Sequence, residues 1–324
     1  RRTTAQHSVE AMTTSADPSL NRYASALSTR SDTLEALEEV CDQVLQSAVE
    51  RPELVGLFVS HHHAEGWHQL PQQITQRLQA RQLIGCSGEA IVGGPREVEE
   101  RPALALWAAS LPQTRITPLH LRFQRTSEGG AIVGWPDQLT GDWPPGAVLL
   151  LLAEPFSFPA DYLLQRMNED QPEVMVLGGM ASGAAAPQQN RLFLADDALE
   201  SGAVAVLLDG GVTVTGVVSQ GCRPIGQPLV VTKAERNIIE QLGGRSALEQ
   251  LQQIFIQLPN HEQRLAQRGL HLGQSVSEYK DHFEAGDFLV RNVVGIDHAT
   301  GAIAIGDYAV SYTHLTLPTI PRWC

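Results

Sequence analysis

No uninterrupted apolar run in the chain is longer than seven residues, the length of AVLLLLA, residues 147 to 153. That is the length of a strand, whereas a helix needs roughly 18 to 20 apolar residues to cross a bilayer. Runs of similar size recur as LVGLFVS (Leu54 to Ser60), ALALWAAS (103 to 110), RITPLHLRF (115 to 123) and EVMVLGG (173 to 179). Short and bounded by polar or turn residues, they predict strands. A chain assembled from such pieces must stack its sheets or cover them with helices.

Helical spacing is rarer. In SDTLEALEEVCDQVLQSAVE the residues Leu34, Leu37, Val40, Cys41, Val44, Leu45 and Ala48 recur on one helical stripe, and Asp32 with Glu35 forms a D-x-x-E start signal. A second stripe carries Trp67, Leu70, Ile74 and Leu78 between LVGLFVS and the apolar pair entering Gly85, which predicts a βαβ unit. Asp209-Gly210-Gly211 predicts a hairpin turn between AVAVLL and VTVTGVV, and His298 to Gly301 a second one near the end. Thr232 with Glu235 and Ser246 with Glu249 read as capping boxes opening two short helices, the first stopped by Gly243-Gly244. The fold class expected is therefore a mixed, strand-rich α/β (α+β) chain. Its two domains should hold mixed or antiparallel sheets flanked by helices, with a polar lead-in over 1–30, one domain over 31–222 and a second over 223–309.

The ends look foreign to that pattern. RRTTAQHSVEA is polar and patternless, so Met12 is the expected start. VSYTHLTLPT, Val310 to Thr319, resembles the translation of a sequencing-library adapter, so 310–324 is expected to be a non-native tail without register or core contribution. The sheet holding Phe288 to Ile296 would then keep an open edge.

With 36 acidic against 23 basic residues the net charge is −13, and the basic residues are scattered, which argues against nucleic acid as a partner. The apolar runs predict no membrane partner, and the lack of a leader pattern points to the cytoplasm. Cys41, Cys86, Cys222 and Cys324 show no C-x-x-C spacing, which fits a reducing compartment.

The chemistry concentrates in LIGCSGEAIVGG, Leu83 to Gly94. It lacks the spacing and the lysine of a phosphate loop, and Ser87 is out of register for a G-x-S-x-G elbow. What remains is a glycine turn lining a pocket, or a nucleophilic Cys86 helped by His61 or His62. SHHHAEGWH offers His61, His62, His63, Glu65 and His68. Neighbouring residues on extended chain point apart, so at most two of the first three converge, and no metal site is expected. Arg223 and Arg291, beside glycine-rich turns, are candidates to clamp a carboxylate.

LIGCSGEAI, ALALWAASLP, VLGGMASG, SQGCRPIGQPLVVTKAERNIIEQLGGRSALEQL and FLVRNVVGID, in that order, resemble the FIST proteins, an N-terminal FIST domain followed by a FIST C-terminal domain, from about Leu34 to Asp307. The resemblance implies an intracellular sensory module without catalytic activity that binds an amino acid or similar small metabolite and signals through a protein partner. No cofactor is expected. One alternative is a haem-binding gas sensor, since some bacterial members bind haem; another is a cysteine-dependent hydrolase using Cys86. The ligand-binding residues inferred from turns at strand ends are Ser60, His61, His62, Cys86, Ser87, Glu89, Ser182, Arg223, Arg291 and Asn292.

Overall fold

A computed structural model describes residues 20–127, 129–139, 141, 143–216, 223–266, 271–275, 288–306 and 314–319. The chain divides into two compact units, Arg1–Gly216 and Val217–Cys324.

Along the first unit run β1 (Arg22–Ser28), α1 (Thr33–Leu45), β2 (Leu54–Ser60), a 3-10 turn (His61–Gly66), α2 (Leu70–Leu78), β3 (Gln82–Gly88), β4 (Ile91–Gly93), β5 (Arg96–Val98) and β6 (Leu104–Ser110). There follow β7 (Thr114–Thr126), β8 (Gly129–Val133), a 3-10 turn (Asp137–Leu139), β9 (Val148–Ala153), α3 (Ala160–Asp170), β10 (Met175–Met180), β11 (Leu192–Leu194), β12 (Asp197–Leu199) and β13 (Ala203–Gly210). They form two main sheets, ordered β1-β6-β2-β3-β11-β12 and β10-β9-β13-β7-β8, and β4 pairs with β5 in a small ribbon.

Side-chain alternation turns these sheets into a four-layer sandwich. On β13 the odd residues Ala203, Ala205 and Leu207 join Leu149, Leu151, Leu163 and Met167 under α3. The even residues Val204, Val206 and Leu208 meet Leu54, Ile84, Cys86, Ala109 and Leu192 of the other sheet. That first sheet turns Val55, Leu57, Leu83, Leu104 and Leu106 to its far side, where α1 and α2 cover them with Leu37, Val40, Cys41, Leu70 and Ile74. Strands that are apolar on both faces thus end up between a helix layer and a sheet layer.

The two sheets share one topology. In the first, β2 and β3 are parallel and joined by α2, β6 lies antiparallel beside β2, and β1 lies antiparallel beside β6. In the second, β9 and β10 are parallel and joined by α3, with β13 and β7 in the places of β6 and β1. The likeness extends to single residues. Gly85 on β3 sits opposite Leu57, and Gly178 on β10 opposite Leu151; a Cβ at either glycine would collide with the facing leucine carbonyl oxygen. Ser60 N donates to Ala103 O at 2.9 Å and Glu154 N to Gly202 O at 2.9 Å, each pinning a strand end to the residue before its antiparallel neighbour.

The second unit contains β14 (Arg223–Glu235), β15 (Ile238–Leu242), β16 (Arg245–Ser246), α4 (Ala247–Gln257), α5 (Asn260–Ala266), β17 (His271–Ser275), β18 (Phe288–Asp297), β19 (Ala302–Ile305) and β20 (His314–Thr319). Its sheet is ordered β14-β20-β17-β18-β19-β15-β16, and β14 also pairs with β15, so the ring of strands closes through β14. Val231, Ile239, Leu242, Ala247, Leu251, Leu272, Ile303 and Ile305 form its core.

Several expectations are corrected. Residues 22–28 are not lead-in but strand β1, held by β6; Met12 and the rest of residues 1–19 lie outside the described residues. The helix expected after Thr232 is a β-hairpin: Ile238, Ile239 and Leu242 fit either period, and Arg236 at φ 55° turns the chain. Thr232 Oγ1 caps nothing helical but accepts from Gly244 N at 2.9 Å, and Gly243-Gly244, both at positive φ, make the next tight turn. No strand follows β13 over 211–216, because β7 and β9 already occupy both of its edges. Gly85 lies within β3, not in a turn. Leu34 and Leu45 are exposed and lie off the buried stripe of α1. In the tail, His314–Thr319 pairs with β14 and β17, since an alternating, β-branched segment joins a free edge whatever its origin; β18 is flanked by β17 and β19 and has no open edge. Leu315 lies in β20, where its side chain is outside the described residues, as is Trp323 altogether.

Gly85→Ala should cost about 3 kcal/mol, the range of core overpacking. Gly94→Ala, at φ 58° with open space around it, should cost only about 1 kcal/mol. Urea unfolding midpoints of the two variants check this; equal losses would mean that β2 and β3 do not approach as described.

Candidate functional site

Parallel strands joined by a helix deliver their carboxyl ends to one edge of a sheet, where loops supply polar groups. Here the first unit does this twice, and both carboxyl ends meet. Ser182 N, just after β10, donates to Ser87 O near the end of β3 at 3.2 Å, and Ser182 Oγ accepts from Glu89 N at 3.1 Å. Ala181 N donates to Ala153 O at the end of β9 at 2.8 Å.

Across this junction runs a buried polar bridge. Ser87 Oγ accepts from Arg191 N at 3.0 Å and lies 3.5 Å from Asn190 Oδ1. Asn190 Nδ2 donates to Glu154 Oε1 at 3.2 Å, while Glu154 Oε2 accepts from Ser157 Oγ at 2.7 Å and Phe156 N at 3.1 Å. Ser87, Asn190 and Glu154 are fully buried, so each needs the partners it has. Above the bridge, His61 Nε2 contacts Gln189 O at 3.3 Å and its ring meets Trp67 edge-on at 5.0 Å. The Arg191 guanidinium lies 5.7 Å from the same indole and pairs with Glu200 at 3.0 Å. Gly183 completes the closure, because a Cβ there would press on the His61 ring at 2.7 Å.

The expected residues therefore separate into groups. His61, Ser87, Glu89 and Ser182 come together at this junction. Ser60 lies at the end of β2, buried, where its Oγ accepts from Ala103 N at 3.0 Å and contacts His62 Nδ1 at 3.3 Å; it is a strand pin, and His62 is exposed beside it. Cys86 faces the layer between the sheets, 6% exposed, and burial pushes its thiol up to about 12. A thiol held protonated in an apolar layer is no nucleophile, which removes the basis for the hydrolase reading. Arg291 and Asn292 lie in the second unit on β18, Asn292 Oδ1 meeting His271 Nδ1 at 2.8 Å and Arg291 donating to Val290 O at 3.3 Å. Arg223 begins β14, opposite Thr319, and its side chain is outside the described residues.

Glu154, Ser157, Asn190 and Arg191 were missed by the sequence reasoning. A carboxylate directly after the apolar run 147–153 was the available signal for Glu154. Asn190 and Arg191 sit in AAAPQQNRLF, whose spacing carries none. His63 is the buried histidine of the three, with Nδ1 3.0 Å from Thr33 Oγ1 and Nε2 without a partner among the described residues. Burial, then the neighbouring His62, holds it below the usual imidazole range. Among the described residues no three His, Cys, Asp or Glu side chains are grouped to hold a metal ion, and no helix is long and apolar enough to cross a membrane.

Two measurements follow from these environments. At pH 8 the Cys86 peptide should alkylate at least about a hundredfold more slowly in folded than in urea-unfolded protein, since the folded thiol is almost wholly protonated. Equal rates would place the thiol at the surface. A histidine depressed on folding stabilises the protein above its unfolded pKa, and that stability is lost as pH falls through the depressed folded value. Stability should thus fall between pH 7 and 5, by less in His63→Gln; an identical slope in the two proteins would mean His63 is not buried neutral.

Comparison with known proteins fits this architecture. The family model for the FIST N domain matches residues 53–245, which carries through the two-sheet unit into the β14–β15 hairpin. The uncharacterized protein Rv0628c of Mycobacterium tuberculosis is 40% identical over 257 residues, covering 79% of this chain and 65% of its own length. The uncharacterized protein Mb0898c of Mycobacterium bovis is 37% identical over 279 residues, 86% of this chain and 69% of its own. The chain thus spans just under two thirds of the length of the Mycobacterium tuberculosis relative. It belongs to the FIST family, whose domains are in general sensory modules that bind small ligands.

Proposed function

We propose that the first unit senses a small polar metabolite, of the amino-acid class, at the junction of the β3, β9 and β10 carboxyl ends. The observation that carries this reading is the convergence there of two parallel strand pairs on one polar bridge, Ser87–Asn190–Glu154, under a rim of His61, Glu89, Ser182 and Arg191. A fold edge of this type collects ligands because strand ends leave backbone groups and short polar side chains pointing into one crevice. Acceptor-bearing ligands are favoured by Arg191 Nε and Trp67 Nε1, two neighbouring buried donors without an acceptor among the described residues. A carboxylate offers such donors what they lack, in a charge-assisted form.

The ligand ties residues from both sheets, and its arrival alters how the 181–191 segment sits over them. The output passes to a protein partner, and the setting is cytoplasmic, in keeping with the −13 charge and the free thiols of Cys41 and Cys86.

A thermal-shift screen of the twenty amino acids and their keto and hydroxy analogues tests the reading. A binder at a hundred times its Kd should add about 2.7 kcal/mol of stability and raise the melting point by several degrees. His61→Ala and Arg191→Lys should weaken that response roughly tenfold or more in apparent Kd, the lysine because it keeps the charge and loses the fork. A screen without shifts, or shifts indifferent to both variants, would overturn the assignment. Appearance of a Soret band on haem addition that His61→Ala abolishes would replace it with the haem reading.

A further inference from the structure

One difference between the two halves of the sandwich lies between their first two strands. Between β1 and β2 the chain inserts α1, which packs on α2 and fills its side of the first sheet. Between the corresponding strands β7 and β9 it inserts β8 and the segment 134–147, whose described residues hold one helical element, the three-residue turn Asp137–Leu139. The counterpart of the α1 position is left as a groove of about 770 Å³ between that segment, β8 and α3. This is within the ~300–1,000 Å³ usual for small-molecule sites. It shares no residue with the junction described above.

The walls of the groove are largely aromatic, and most of its described polar side chains are already engaged, the Thr126 and Ser127 hydroxyls also lining it. Trp135 and Trp143 stand at 61° with centroids 5.5 Å apart, and Tyr162 forms a further wall, braced edge-on by Phe123 at 5.7 Å. Leu163 and Met167 of α3 are buried beneath. Tyr162 Oη donates to Gly130 O at 2.7 Å, Trp143 Nε1 to Leu139 O at 3.2 Å and Gln171 Nε2 to Gly141 O at 3.3 Å. Arg166 is paired with Asp170 at 2.6 Å and with Glu169 at 3.2 Å. An incoming ion would have to break these pairs, and an anion would also meet two carboxylates and a chain of net charge −13. Beyond the two hydroxyls, what the groove offers is mainly ring face and apolar surface.

We infer that this groove is a second binding site, for an uncharged planar aromatic compound. Two fluorescent probes with one ring system test it on the full chain: N-phenyl-1-naphthylamine, which is neutral, and 8-anilinonaphthalene-1-sulfonate, which adds a sulfonate. The neutral probe should bind saturably at one equivalent, and the sulfonate at least tenfold more weakly. Trp135→Ala should raise the Kd of the neutral probe about tenfold. Because that variant also removes a wall, Ile132→Phe serves as the second: Ile132 shares the groove face of β8 with Gly130, opposite Phe123, and a larger apolar side chain there narrows the groove. It should weaken neutral-probe binding about tenfold while circular dichroism and melting point stay near wild type. Equal affinity for both probes, or neutral-probe binding unchanged in both Trp135→Ala and Ile132→Phe, would overturn the inference. Failure of the amino-acid screen would leave it untouched, since the two sites share no residues.

Discussion

Everything in the first unit is organised by the apolar layer in which the two sheets face each other. Val204, Val206 and Leu208 on one side and Leu54, Ile84, Cys86 and Leu192 on the other lie almost wholly out of water. Each such side chain contributes roughly 1.5 to 3 kcal/mol on burial. The same strands are apolar on their other face, so hydrophobic pattern alone does not choose between neighbouring registers: a one-residue slip would exchange one apolar face for another. Register has to come from elsewhere. Gly85 opposite Leu57 and Gly178 opposite Leu151 supply it, since only those pairings place a residue without Cβ against the leucine carbonyl. The strand-end bonds from Ser60 to Ala103 and from Glu154 to Gly202 fix the other direction.

That the same devices occur at matching positions in both sheets makes the unit a duplicated one in its architecture. Repetition explains why two parallel pairs bring their carboxyl ends to one junction. Departure from it explains the groove: where the first half spends thirteen residues on α1, the second covers its sheet with a loop and two indoles.

Much of this could be read from the chain, and the failures have identifiable causes. The runs 54–60, 103–110, 115–123 and 147–153 announced strands, and α1 and α2 showed their stripes, because continuous apolarity and 3.6-residue spacing are local properties. The stretch after Thr232 misled because Ile238, Ile239 and Leu242 satisfy both periods and the deciding feature, the turn at Arg236, carries no Gly or Pro. Gly85 announced a turn for the opposite reason: glycine was needed for close approach of two strands, a cause that is invisible without the partner strand. Of the junction, Ser87 and Ser182 were legible from glycine-rich strand ends. Asn190 and Arg191 were not, because their importance arises from a bridge spanning 103 residues of sequence between Ser87 and Asn190.

The Ser87–Asn190–Glu154 bridge also has a mechanical meaning. Layers that touch only through apolar side chains resist separation but resist sliding weakly, since dispersion has little directional preference. A hydrogen-bonded link from one sheet to the other acts as a rivet, converting an easy shear into one that must break directional bonds. It is placed at one end of the sandwich, so sliding there is checked while the far end keeps more play. Tightening or loosening that rivet would be felt along the whole length of β3 and β9 as a lever, with the far loops as its moving tip.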